Sequence, residues 1–126
     1  MTRTFAPLFL LALASCTPAP QGPEQQSPPM ELAGRVAGAP QRCVDNTRLQ
    51  SLRTSENNRH VLLYGSGRTI WANQLGQCRF GPDDILVTES YGSQYCRGDI
   101  VKSVDRTSRI PGPTCIFSDF VPYTLR

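Results

Sequence analysis

Histidine occurs once in this 126-residue sequence, as His60, and lysine once, as Lys102. Acid–base chemistry centred on histidine therefore has one candidate, and His60 opens an aliphatic run, Val61-Leu62-Leu63, where a structural role suits it better. No two cysteines form a C-x-x-C pair, the arrangement of redox-active thiols and of many structural zinc sites. The G-x-S-x-G spacing of a nucleophile elbow is missing too, since Ser66 lies in Gly65-Ser66-Gly67, whose glycines fit a turn. Asp83-Asp84 offers paired carboxylates without the D-x-D-x-D-G frame of a calcium loop. The positive residues are almost all arginine, they are interleaved with Asp and Glu, and the net charge is only +3, so the basic stripe of a nucleic-acid surface is absent. The expectation is no metal, no cofactor and no nucleic acid. Nor does any apolar stretch approach the roughly twenty residues of a membrane-spanning helix. The run from Phe5 to Ala14 is half that length and is interrupted by Pro7.

What is present begins with that short run. Met1-Thr2-Arg3-Thr4 gives it a positive lead, and it closes on Leu13-Ala14-Ser15-Cys16. A basic start, a short apolar stretch and small residues at its end make an export signal, which is left out of the fold. The closing tetrapeptide resembles the lipobox of bacterial lipoproteins, in which the signal is cut just before a cysteine already linked to diacylglycerol. The resemblance implies that residues 1–15 are removed, that Cys16 is the lipidated amino terminus, and that the protein is held on the bilayer without a spanning helix. One acyl chain binds a membrane only marginally; two or more anchor it stably. Thr17 stands where an aspartate would signal inner-membrane retention, so the same resemblance points to the outer membrane, facing the periplasm, with another envelope protein as prospective partner.

Residues 16–41 contain Pro18, Pro20, Pro23, Pro28, Pro29 and Pro40 among Gln, Ala, Gly and Ser. Such a composition buries too little apolar surface to offset its ordering entropy, and its prolines favour extended polyproline II. A disordered tether to residue 41 and a folded domain over residues 42–126 are expected. A domain of about 85 residues has a thin core and needs staples. Cys43, Cys78, Cys96 and Cys115 supply them: an even number of spaced cysteines in an exported domain reads as two disulfides, with three connectivities. The preferred pairing is Cys78–Cys96, closing a strand-turn-strand unit, with Cys43–Cys115 fastening the start of the domain to its last strand.

Two β-rich runs, Arg59 to Tyr64 and Arg68 to Asn73, flank Gly65-Ser66-Gly67 and predict a hairpin at the centre of a sheet. Val61 and Leu63 fall on one face and Leu62 and Tyr64 on the other, so this hairpin is expected to be covered on both sides. Ile85 to Ser90, Tyr95-Cys96, Ile100 to Val104 and Cys115 to Val121 read as further strands, with a loop from Thr107 to Pro113. Pro122 cannot donate to a ladder, which places it at an edge or an end. The fold class is all-β, a small antiparallel sandwich or barrel-like domain of five or six strands stapled by two disulfides.

The order of the four cysteines, together with Tyr95-Cys96-Arg97-Gly98-Asp99-Ile100, resembles small exported four-cysteine proteins and lipoproteins of proteobacteria. That group brings no established activity, so the resemblance bears on fold alone. Arg97-Gly98-Asp99 spells an integrin-binding tripeptide, yet a turn after Cys96 accounts for it. Aromatics give the one hint of recognition: Tyr91, Tyr95 and Tyr123 would form a binding surface if clustered and exposed. A non-enzymatic binding or structural module is the leading expectation. The alternative, a small envelope enzyme or enzyme inhibitor, would need polar groups such as Arg68, Asp99 and His60 to converge in one pocket.

Overall fold

A computed structural model of the chain describes residues 27–47 and 51–126. The expected export signal, Cys16 and the first part of the expected tether lie outside the described residues. The domain is all-β, as expected, with ten strands in place of five or six. They are β1 Arg35–Ala37, β2 Cys43–Asp45, β3 Leu52–Thr54, β4 Val61–Tyr64, β5 Thr69–Gln74, β6 Ile85–Glu89, β7 Gln94–Cys96, β8 Ile100–Val104, β9 Pro111–Ile116 and β10 Phe120–Leu125. The additional strands are the three-residue pieces β1, β2 and β3, too short for their alternation to be read, and the expected strand from Cys115 to Val121 is divided between β9 and β10.

Every pairing is antiparallel. The largest sheet runs β1-β10-β5-β4-β3, a second runs β6-β8-β9, and β2 and β7 form a separate ribbon; none closes into a barrel. The β4–β5 hairpin lies inside the large sheet, turned by Gly65 (φ 94°) and Gly67 (φ 74°), a left-handed backbone that glycine adopts without strain. Its two faces feed two clusters. Leu62 and Tyr64 pack with Val44, Phe80, Val101, Phe117 and Phe120 beneath the smaller sheets, while Val61 and Leu63 pack with Leu32, Ile70 and Ala72 on the opposite side. No residue of β4 is more than 3% exposed, which explains a continuous apolar run where a half-buried strand would alternate.

That second cluster corrects the tether boundary. Residues 27–41 belong to the fold: Pro29 is buried, Met30–Leu32 form a 3-10 turn, Leu32 plugs the apolar face, and β1 pairs with β10. Averaged composition hid this, because one leucine suffices to cap a small apolar patch. The strap is gripped by the turn Ser55-Glu56-Asn57-Asn58. Asn57 Oδ1 accepts from the Met30 amide (2.8 Å), Asn57 Nδ2 donates to the Pro28 carbonyl (2.9 Å), and Asn58 Nδ2 donates to the Ser27 carbonyl (2.8 Å). Glu31 accepts from the Ser55 hydroxyl and the Glu56 amide, each at 2.8 Å.

Pro122 also departs from expectation, because β10 lies between β1 and β5. The ladder tolerates it at one position only. Pro122 sits opposite Trp71 at a position whose backbone groups point away from β5, and its carbonyl accepts from the Gly38 amide (2.7 Å) just past the end of β1. The reciprocal bond has no donor, and the β1 pairing stops there. Gly38 is required at that point, since a Cβ would meet the Pro122 ring at 2.9 Å.

Two disulfides staple the domain, with a pairing other than the preferred one. Cys43–Cys96 joins directly opposed residues of the β2–β7 ribbon (Cα–Cα 4.0 Å), and Cys78–Cys115 ties the loop after β5 to β9 (Cα–Cα 5.9 Å). The expected Cys78–Cys96 bridge would close a strand-turn-strand unit, whereas β7 pairs with β2 and sets Cys96 opposite Cys43. With separations of 53 and 37 residues, each bridge contributes about 4 kcal/mol in the chain-entropy account.

The strap makes stability depend on pH. Partial burial raises the Glu31 pKa, but the hydrogen bonds from Glu56 and Ser55 and the charge of Arg53 outweigh it and hold the carboxyl below its ordinary 4.5. A depressed folded-state pKa adds stability that is present above the unfolded value and lost as pH falls through the folded one. Denaturant unfolding across acid pH should show stability declining below about pH 4.5, with a shallower decline in Glu31→Gln.

Candidate functional site

The packing leaves a cleft of about 540 Å³ where the ribbon stands off from the large sheet. Cys43, Val44, Asp45 and Gln94 of the ribbon, with Gln41 before it, form one wall. Tyr64, Thr69 and Trp71 of the hairpin, with Ser66 and Arg68 of its loop, form the other. The walls are held together by the Tyr64 hydroxyl, which donates to the Asp45 carbonyl at 2.7 Å. The Cys43–Cys96 disulfide locks the two strands of the ribbon to each other.

Within the cleft the side chains differ in how far they are engaged. Trp71 is half-buried, paired in register with Tyr64 on one side and Pro122 on the other, so its ring lies over the sheet with part of it open to solvent. Asp45 Oδ1 accepts from both the amide (2.8 Å) and the hydroxyl (2.6 Å) of Thr47. Thr69 and Thr124 hydroxyls share a 3.3 Å contact. Gln41, Gln94, Ser66 and Arg68 are exposed, and among the described residues their side chains have no hydrogen-bond or ion-pair partner. The backbone of the loop is occupied instead: Arg35 donates from Nη1 to the Arg68 carbonyl and from Nη2 to that of Gly67, each at 2.8 Å.

The three tyrosines do not meet. Tyr91 is 95% exposed in the loop between β6 and β7. Tyr95 packs edge-on against Tyr64 (centroids 5.5 Å apart) and lies 5.8 Å from Phe117, in the larger cluster. Tyr123 packs against the other cluster, across the large sheet. The expectation of a shared tyrosine surface is therefore corrected: two of the three serve the two cores.

The three polar groups that the enzyme or inhibitor alternative would need in one pocket are also dispersed. Arg68 lines the cleft; His60 and Asp99 do not. His60 Nδ1 lies 3.0 Å from the Gly76 carbonyl and 3.1 Å from that of Cys78, and since carbonyls only accept, Nδ1 carries the proton. Asp99 Oδ2 accepts from the Cys96 amide at 2.9 Å, closing the turn from β7 to β8. The rest of Arg97-Gly98-Asp99 is spent on the same turn. Gly98 has φ 93°, its amide donates to the Phe117 carbonyl (3.0 Å), and Arg97 pairs with Asp119 (3.3 Å). Asp84 closes its own turn by accepting from the Gly81 amide (2.7 Å), and among the described residues no three metal-type ligands come together.

Gln41 and Gln94 are not legible as site residues in the sequence, because only the β2–β7 pairing puts both on one wall of the cleft. Ser66, whose flanking glycines mark a turn and no nucleophile elbow, gains its place in the site only from the packing. Comparison with models of protein families, with curated proteins and with solved structures finds no match.

Truncating the two tyrosines separates core from surface. Tyr95→Ala should destabilise the domain by about 2 kcal/mol or more, and Tyr91→Ala should change stability by less than about 0.5 kcal/mol, both read from denaturant midpoints.

Proposed function

We propose that the protein is a lipid-anchored envelope lipoprotein, held by acylated Cys16 on the outer membrane and facing the periplasm, whose stapled β domain is a non-enzymatic binding module. The lipobox-like Leu13-Ala14-Ser15-Cys16 supports the anchorage. The observation that carries the binding reading is the cleft between ribbon and hairpin, where a half-buried indole, a guanidinium, two amides and a hydroxyl converge. These groups recognise and orient; a few convergent polar groups around an aromatic surface are the usual make-up of a small-molecule site. The strap reinforces the arrangement, because it fastens the membrane-proximal end of the domain to the face opposite the cleft.

The test is made in the native bacterium. A photo-crosslinking side chain at position 66 should yield an adduct with an envelope component, while the same group at Thr107, in the exposed loop between β8 and β9, should not. The intact mass of the purified chain should correspond to a protein beginning at Cys16 and carrying acyl chains. An unmodified chain retaining residues 1–15, or equal adducts at both positions, would overturn the proposal.

A further inference from the structure

The cleft also indicates what kind of ligand it takes. We infer that it binds an anionic saccharide, with the Trp71 indole against the C–H face of a sugar ring and Arg68 on the sugar's carboxylate or phosphate. This rests on reading the cleft as a binding site and adds the chemistry of its occupant.

Three features converge on that class. The first is the floor. A sugar ring has one face of C–H bonds that a flat, partly wet aromatic surface covers well, and the half-buried indole of Trp71 in the cleft lining is such a surface. The second is the rim. Gln41, Gln94 and Ser66 present donors and acceptors that are unengaged among the described residues, and adjacent sugar hydroxyls require both at short spacing. A purely apolar ligand would strip water from these groups and return no hydrogen bonds. An extended peptide would seek free backbone groups, but the nearby Gly67 and Arg68 carbonyls are taken by Arg35.

The third is charge. Arg35 and Arg68 meet at the loop that closes the cleft, and neither belongs to an ion pair; among the described residues the two pairs are Arg97 with Asp119 and Lys102 with Glu89. Asp45 is the one carboxylate in the lining, and its Oδ1 is tied to Thr47. A planar guanidinium matches a carboxylate or a phosphate through two parallel hydrogen bonds, which makes Arg68 the selecting group. The volume, about 540 Å³, lies within the range of small-molecule sites.

Trp71 is the only tryptophan of the chain, so its emission reports on this cleft alone. The full-length lipoprotein, extracted in detergent, is titrated with trigalacturonate, maltotriose 6-phosphate and neutral maltotriose. At least one of the acidic sugars should give a saturable change in emission, with neutral maltotriose binding at least ten-fold more weakly; which acidic sugar binds more tightly identifies the anion. Arg68→Gln should weaken the acidic sugar at least ten-fold, Arg79→Gln, remote from the cleft, should leave it unchanged, and both should unfold at the wild-type midpoint. Unchanged emission with both acidic sugars, equal binding of the neutral one, or an Arg68→Gln protein that binds normally would overturn the inference. If position 66 still captures an envelope component while the titrations stay flat, the saccharide is wrong and the binding module stands; if both fail, both fall.

Discussion

The structure depends on one strand being covered from two directions. Val61–Tyr64 has no solvent-facing side, so each of its faces requires a layer, and the rest of the domain is arranged to supply two. Fully burying a side chain of this size contributes about 1.5 to 3 kcal/mol. In a domain this small, four such residues in a row are a large share of the core.

The two layers are built differently. On one side the β6-β8-β9 sheet and the β2–β7 ribbon converge on Phe80, Phe117 and Phe120; one disulfide locks the two strands of the ribbon together and the other ties β9 to the loop after β5. On the other side the cover is a short strap with Leu32 at its tip, clasped by Ser55, Glu56, Asn57 and Asn58. The cleft follows from the first arrangement. A ribbon of two three-residue strands is too small to cover the whole face of the large sheet, so Trp71 is left half-covered beside it. A chain organised to fill its core thereby presents an aromatic surface with unengaged polar groups along its rim.

The legible parts of the fold were those carried by local pattern. The β4–β5 hairpin, its glycine loop and its coverage on both faces follow from residues 59–73 alone. Non-local pairing was not legible. Nothing near Cys96 indicates that β7 leaves β6 for β2, and the disulfide pairing and the Gln41–Gln94 rim both depend on that crossing. Nor could the strap be read, because Leu32 follows Pro28-Pro29 with only Met30 and Val36 as larger apolar neighbours, and its partners lie more than twenty residues away. Trp71 stood out as an aromatic, but its position at a cleft needed the packing.

Hydrogen exchange of the intact, oxidised protein tests the two-sided cover most directly. The amides of Val61–Tyr64 should be among the last to exchange, at rates set by global unfolding, while those of the edge strands Arg35–Ala37 and Leu52–Thr54 exchange sooner through local opening. Exchange of Val61–Tyr64 as fast as that of the edge strands would contradict the account.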